Sequence, residues 1–284
     1  MIDRLLRDGH EVTAVVRNPG RLGFTAGLET VAGDVVTGEG LDRAMPGCNA
    51  AIHLVGIIHE TRQQTFEQVH HAGTRNVVEA AKRAGVERFI QMSALGARAD
   101  GVSRYQTSKW RGEEEVRSSG IPYVILRPSI IFGPGDGFVS QMVQVMKTSP
   151  FVRPVPGKGT YKFRPIYIDD VMCCFAQSLS NERALGKTVE LGGPQELSLS
   201  RMLEDISICV GVRKPAFHVP FPIVYANAAI LGSVMRKPPV TTDQLRMLRE
   251  GSTCDIRPMK EIFGLNPVGF REGLMRYLCR TRAS

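Results

Sequence analysis

The chain has 284 residues, 43% of them apolar, enough for one large core with a small appended lobe, and it carries no repeats or low-complexity segments. Thirty-six Lys and Arg against 28 Asp and Glu give a net charge of +8, but the basic residues are dispersed and only 7% of the chain is aromatic, which speaks against nucleic-acid binding. Six cysteines (Cys48, Cys173, Cys174, Cys209, Cys254 and Cys279) show no CxxC or other metal spacing, which speaks against a metal site and fits reduced thiols in a cytoplasmic-type compartment.

In chain order, HEVTAVV (10–16) predicts a short buried strand, LETVAGD (28–34) a second and NAAIHLVG (49–56) a third. Between Phe66 and Ala84 the apolar positions Phe66, Val69, Val77, Ala80, Ala81 and Ala84 recur at helical spacing, with small Gly73 on the same face and Gly85 placed to cap. ERFIQMS (87–93) and IPYVILRPS (121–129) read as two more strands, separated by a helix from about Ser103 to Ser118. Strands and helices alternating across short turns predict an α/β fold with a parallel sheet covered on both faces.

Further on, IIFGPGDGFVSQMVQVMK begins as a loop with Gly133, Pro134, Gly135 and Gly137 and continues as a helix rich in Met and Val. Asp169 and Asp170 read as an N-terminal cap and first-turn charges of a helix through Leu179, since paired acids without a nearby His or third carboxylate make a poor metal site. PIVYANAAILGSVM (222–235) is a largely apolar stretch ended by Arg236, Lys237, Pro238 and Pro239, too short to span a bilayer. It predicts a helix of a small lobe; the alternative is a hydrophobic surface for a lipid, a quinone or a membrane partner. From residue 201 onward 13 Lys and Arg stand against 7 Asp and Glu, so +6 of the net +8 lies there, which suits an anionic membrane surface or an acidic partner.

The chemistry concentrates in SRYQTSKW. Tyr105 precedes Lys109 by four residues, which on a helix puts the phenol and the ammonium on one face, where the cation is expected to lower the tyrosine pKa. Ser93, at the end of the strand RFIQMS, can hydrogen-bond the same substrate oxygen. A Tyr and Lys at this spacing also meet by chance on amphipathic helices, and the surrounding strands and helices give the pair its meaning.

The pieces GHEVTAVVRNP, VAGDVV, GCNAAIHLVG, HHAGTRNVVEAAKRAGVERFIQMSALGA, SRYQTSKWRGEE, LRPSIIFGPGD and PIYIDDV occur in the order of the short-chain dehydrogenase/reductase superfamily, and the chain resembles its extended or atypical branch. Within that branch it is most similar to NAD(P)H-binding proteins related to the 39 kDa accessory subunit of respiratory complex I, alongside epimerase-like relatives. The resemblance implies a Rossmann-type doubly wound parallel sheet with a small C-terminal α/β substrate lobe. It divides the chain into a dinucleotide-binding domain at 1–130 and a substrate or partner lobe at 131–284, with 160–192 returning to the main sheet. Family members open with a strand and a GxxGxxG turn that holds the pyrophosphate. Here IDRLLRDGHEV matches the second half of the helix that follows, so about 15 residues of that fingerprint are not matched. The expectation is a start codon assigned too late; the alternative is a real truncation that re-pairs its strands and binds dinucleotide weakly or not at all.

By the same resemblance Arg17 and Asn18 stand where the second strand chooses between cofactors. An arginine there favours NADP(H) over NAD(H), and the bland alternative is a solvated strand-end charge. Asp34 and Val35 match the adenine edge, Leu54, Val55 and Gly56 the ribose side, and Pro128, Ser129 and Ile130 the stretch beside the nicotinamide. His70 occupies a place where many relatives carry asparagine; it either hydrogen-bonds within the site network or is a packed helix residue. Ser93, Tyr105 and Lys109 match the catalytic set, with Tyr105 and Lys109 also contacting the cofactor. Two functions follow from the resemblance: an NADP(H)-dependent oxidoreductase acting on a hydrophobic carbonyl or alcohol, or a non-catalytic nucleotide-binding accessory or assembly protein of the complex I type. The expected location is the cytoplasm, or peripherally the inner membrane through contact of the basic C-terminal lobe with the membrane or a respiratory complex.

Overall fold

The computed structural model describes residues 1–21, 23, 25–235 and 240–278. The chain divides into two compact units, Met1–Arg127 with Met172–Val189, and Pro128–Val171 with Glu190–Ser284.

The first unit opens with helix α1 (Ile2–Arg7), then β1 (Val12–Val16), β2 (Leu28–Ala32), the short α2 (Leu41–Ala44) and β3 (Ala50–His53). A π-helical turn over Glu67–Ala72 leads into α3 (Gly73–Arg83), followed by β4 (Arg88–Met92), α4 (Arg104–Arg117) and β5 (Tyr123–Pro128). β3, β4, β5 and the later segment Lys187–Leu191 form a four-stranded sheet in that order, with the β3–β4 and β4–β5 ladders parallel. β1 and β2 form a separate parallel pair, Val12 opposite Leu28 through Val16 opposite Ala32. Among the described residues no ladder joins β1 to β3, and burial follows this division. Phe89, Ile90, Val124, Ile125 and Leu126 of the central strands have no exposed surface, whereas every residue of β1 is partly exposed. Each fully buried side chain of this size contributes about 1.5–3 kcal/mol.

Two predicted elements end differently in the structure. β3 stops at His53, so Leu54, Val55 and Gly56 lie beyond the strand; the chain turns there, and the Ile57 N–H donates to His70 Nε2 at 3.0 Å. The helix expected from residue 66 begins with the π turn, a local widening that is frequent at functional sites and that here carries His70. Its far end matches the capping expectation. Gly85 adopts φ 72°, and the Val86 N–H bonds the Ala81 carbonyl at 3.0 Å, closing the helix as a Schellman-type cap does.

In chain order the remaining elements are β6 (Ile131–Phe132), α5 (Phe138–Thr148), β7 (Arg153–Pro156), β8 (Lys162–Phe163), β9 (Ile166–Tyr167), α6 (Ile168–Gln177) and β10 (Lys187–Leu191). They continue with β11 (Leu197–Ser198), α7 (Leu199–Val210), β12 (Ala216–Val219), α8 (Phe221–Val234), α9 (Thr242–Glu250), α10 (Arg257–Phe263) and α11 (Phe270–Leu278). In the second unit β7 and β12 pair in parallel, as do β6 and β9, while β8 and β11 are antiparallel. Phe132, Phe163, Tyr167, Leu199, Met202 and Phe270 centre its core. Asp169 and Asp170 occupy the first turn of α6 as expected, and Asp170 additionally accepts the Val268 N–H at 2.8 Å. The apolar stretch 222–235 forms α8; its terminating residues Arg236, Lys237, Pro238 and Pro239 lie outside the described residues, as does Cys279. Among the described residues no helix is long and apolar enough to cross a membrane, and no cluster of potential ligands could hold a metal ion.

Candidate active site

Helix α4 carries the site and is started by its own sequence. Ser103 accepts the Gln106 N–H at 3.2 Å while the Gln106 side chain accepts the Ser103 N–H at 3.2 Å, a capping box that satisfies two donors at the helix start. Tyr105, Lys109 and Glu113 then follow at four-residue steps along one stripe. Gly112 lets this helix lie against the π turn, because a β-carbon there would overlap the His70 carbonyl oxygen.

Lys109 is buried and donates to the Met92 carbonyl at 3.1 Å. Desolvation lowers its pKa to about 8, with the Glu113 carboxylate opposing the shift. Glu113 is itself fully buried, held by both arms of Arg127 (Nε at 2.7 Å, Nη2 at 2.6 Å) and by Arg117 Nη2 at 2.7 Å. Gly56 faces the ammonium: a β-carbon there would sit 3.0 Å from Lys109 Nζ and 3.4 Å from His70 Nε2. A side chain at residue 56 would crowd both groups.

His70 is packed and hydrogen-bonded at once. Since Nε2 accepts the Ile57 N–H at 3.0 Å, the ring proton belongs on Nδ1, which lies 2.9 Å from Ser108 Oγ; Ser108 in turn donates to the Tyr105 carbonyl at 2.8 Å. The ring stacks on Phe66 with centroids 5.4 Å apart and meets the Tyr105 ring edge-on at 5.2 Å. Burial, then the Lys109 charge, push its pKa down to about 2, so it is a neutral imidazole that fixes the Gly56–Ile57 turn and seats the tyrosine. His53, which the sequence reading did not single out, closes the same cluster. Its Nε2 lies 3.2 Å from Thr74 Oγ1, Thr74 donates to the His70 carbonyl at 2.7 Å, and burial followed by Lys109 lowers its pKa to about 3.

Ser93 follows β4, its N–H bonded to the Leu126 carbonyl at 2.8 Å, and its hydroxyl is buried with no hydrogen-bond partner among the described residues. An unsatisfied buried hydroxyl costs roughly 1–3 kcal/mol. Tyr105 is partly buried, and among the described residues its phenol oxygen forms no hydrogen bond. Burial pushes the phenol up to about 12, opposite to the lowering expected from Lys109. The ammonium is turned to the Met92 carbonyl, and desolvation of the phenolate prevails.

The residues assigned to the cofactor fall into three settings. Arg17 and Asn18 are exposed immediately after β1, and Leu54 and Val55 are 39% and 40% exposed after β3, unusual for large apolar side chains at the end of a buried strand. Asp34 folds its carboxylate onto the Val36 N–H at 2.7 Å, while Val35 is core and its carbonyl accepts Asn76 Nδ2 at 2.9 Å, a structural role for that asparagine. Pro128 ends β5, Ser129 Oγ lies 3.0 Å from Ser252 Oγ, and the Ile130 carbonyl accepts the Ile166 N–H at 2.9 Å.

A family model described as NAD(P)H-binding matches residues 1–148. The chain belongs to this family. The order of its motifs resembles that of the extended short-chain dehydrogenase/reductase branch. Subunit 9 of the NADH dehydrogenase [ubiquinone] 1 alpha subcomplex from Arabidopsis thaliana is 31% identical over 203 residues, covering 71% of this chain and 50% of that protein. The ceramide reductase of Caulobacter vibrioides is 36% identical over 172 residues, covering 60% and 53%. The chain thus spans about half the length of these curated relatives. Among solved structures, the UDP-glucose 4-epimerase of Thermotoga maritima with UDP-glucose superposes with a TM-score of 0.76 at 19% identity, covering 99% of this chain and 94% of the other. The NADPH-dependent quinone oxidoreductase of Escherichia coli complexed with NADPH gives 0.75 at 19%, covering 97% and 94%. These two likenesses show the fold, a doubly wound α/β architecture.

The residues present fit the nicotinamide end of such a cofactor. The side-chain-free passage at Gly56, the Lys109 ammonium beside it and the buried, unpaired Ser93 hydroxyl are features that a bound ligand would satisfy. His53 could have been suspected from the sequence by its place at the end of an apolar strand, and Glu113 by its place four residues beyond Lys109 on the same helix stripe.

Proposed function

We propose that the protein is an NADP(H)-dependent oxidoreductase for a hydrophobic carbonyl or alcohol substrate, working through Ser93, Tyr105 and Lys109. The observation that carries this reading is a desolvated Lys109 ammonium bonded to the carbonyl of Met92, the residue before Ser93, whose hydroxyl is buried with no hydrogen bond among the described residues, together with the Tyr105 ring seated edge-on against His70. Nicotinamide, when bound, supplies or accepts the hydride. In the reductive direction Tyr105 gives its proton to the substrate oxygen, Ser93 orients that oxygen by hydrogen bonding, and Lys109 holds ribose hydroxyls and favours the phenolate that Tyr105 becomes. With a pKa of about 12 the phenol is protonated at neutral pH, as a proton donor must be. Arg17, exposed and with no ion pair among the described residues, is the group that would meet a 2′-phosphate. The ceramide reductase among the relatives favours an apolar substrate.

A second reading, a nucleotide-holding accessory protein at a respiratory membrane, is favoured by the similarity to the complex I subunit. In that case the protein lies peripherally at the inner membrane; as an enzyme it is cytoplasmic.

Titration with NADPH and NADH in parallel, followed by nicotinamide fluorescence, tests the cofactor assignment, and Tyr105→Phe tests the chemistry. The expected result is tighter binding of NADPH, with the variant losing turnover of an apolar aldehyde or ketone while its NADPH affinity stays within a few-fold. Equal turnover by the variant would remove Tyr105 from the reaction. Binding without turnover across a carbonyl panel would favour the accessory role.

A further inference from the structure

The second unit contains an open cleft of about 1060 Å³ whose walls come from the turn after β7, from β12 and from helices α8 and α9. Its composition is particular: Tyr161, Phe221 and Tyr225 supply aromatic surface, and Lys158, Arg246 and Arg249 supply positive charge, with no carboxylate among the lining residues. The aromatics are ordered against one another and against the cations. Tyr161 meets Phe221 edge-on at 6.2 Å, the Arg249 guanidinium lies over the Phe221 ring at 5.9 Å, and Arg246 Nη2 donates to the Tyr225 hydroxyl at 3.2 Å. Arg246 also meets Asp243 at 3.3 Å, so its charge is partly answered. Lys158 and Arg249 meet no carboxylate within ion-pair distance among the described residues. Two unanswered cations converging on one cleft attract an anion.

The cleft continues onto an apolar surface. Pro222, Tyr225 and Ala226 of α8 line it, and the same helix has no charged residue over Phe221–Val234. Of the α8 residues described for burial only Ala228 is buried, and Ile223, Ile230 and Leu231 are exposed at 52%, 61% and 39%. An apolar helix that exposes Ile223, Ile230 and Leu231 among the described residues and begins at a cationic aromatic cleft has the two halves of a site for an amphiphile: a place for a charged head and a strip for a chain. A free inorganic anion would use only the first half, and a neutral apolar molecule only the second.

We propose that this cleft binds an anionic lipid, its phosphate or carboxylate between Lys158 and Arg249, its first methylenes against Phe221 and Tyr225, and its chain along the exposed side of α8. Every residue named lies in the second unit, and the inference does not depend on the oxidoreductase reading.

Isothermal titration with dioctanoyl phosphatidic acid below its critical micelle concentration tests the site directly, with dioctanoyl phosphatidylcholine and inorganic phosphate as comparison probes and Arg249→Gln and Phe221→Ala as variants. NADPH titration and thermal unfolding of each variant report whether it is folded. The expected result is saturable binding of the anionic lipid, at least tenfold tighter than either comparison probe. Each folded variant should weaken it at least fivefold without altering NADPH affinity. Equal affinity for the zwitterionic lipid would overturn the role of the cations, and equal affinity for inorganic phosphate would overturn the role of α8. Unchanged binding by folded Arg249→Gln would place the ligand elsewhere. Where monomeric lipid binds as expected, flotation with phosphatidylcholine vesicles with and without phosphatidic acid distinguishes the source. Co-flotation only with the acidic vesicles indicates a membrane headgroup, and no flotation indicates a lipid taken from solution.

Discussion

Replacing Lys109 by methionine removes a buried charge whose cost can be worked out from its titration. Desolvation pushes the ammonium from 10.5 down to about 8, so the charged form destabilises the folded state by about 3 kcal/mol at pH 7. The sign follows from proton counting. Between pH 8 and 10.5 the unfolded chain holds the Lys109 proton more often than the folded chain, so this contribution to stability rises with pH through that window. Methionine fills similar volume and keeps no charge, and Glu113 remains paired with Arg117 and Arg127. The expected outcome is that Lys109→Met unfolds at higher denaturant than wild type at pH 7, by at most ~3 kcal/mol and less whatever the Met92 hydrogen bond contributes. The difference should shrink to ~2 kcal/mol at pH 9 and ~1 kcal/mol at pH 10. Urea midpoints of both proteins from pH 7 to 10, with secondary structure as the readout, measure it; other titrating groups are common to both and cancel. A variant less stable than wild type at pH 7, or a difference that does not move with pH, would refute the reasoning that Lys109 is held there against its own solvation.

Two further substitutions separate the support of the site from its ligand contacts. Glu113→Gln leaves Arg127 and Arg117 without their shared carboxylate; because those arginines keep some contact with water, the expected loss is about 2–3 kcal/mol rather than the larger penalty of a sealed pair, measured by urea unfolding. A loss under about 0.5 kcal/mol would show that solvent takes over the carboxylate's role. Arg17→Glu should lower the ratio of NADPH to NADH affinity at least tenfold with little change in unfolding midpoint, since Arg17 is exposed and forms no ion pair among the described residues; an unchanged ratio would assign the choice of cofactor to another group.

The fold was legible where the sequence carries its own punctuation. Helix α4 starts at Ser103 as its capping box dictates, and β4 and β5 were readable from the buried apolar residues at their centres, Phe89 and Ile90 in one and Val124, Ile125 and Leu126 in the other. What escaped is of a different kind. The π turn at Glu67–Ala72 leaves the period of the apolar positions almost unchanged, so no spacing announces it; within it His70 bonds the Ile57 N–H and Ser108. The early end of β3 is equally silent in the sequence, since Leu54 and Val55 continue its apolar run and only the structure shows Gly56 beside Lys109. The direction of the Tyr105 shift was misjudged because a four-residue spacing fixes which face two side chains share and says nothing of where an ammonium points or how much water surrounds a phenol.

The arrangement along α4 indicates what the site is built to hold. Glu113 would neutralise Lys109 if it stood alone, but two arginines occupy its oxygens, so the lysine keeps a desolvated charge answered by a single carbonyl. Ser93 keeps a buried hydroxyl with no partner in the same cluster. Each feature works against the folded state, and each would be relieved by an apolar residue of similar size. Both lie at the end of β4, Lys109 through its bond to the Met92 carbonyl and Ser93 as the next residue, which is what the proposed oxidoreductase site requires of them. Packing alone explains His53 and His70, which burial holds neutral and which are paired within the protein, and it does not explain Ser93 and Lys109.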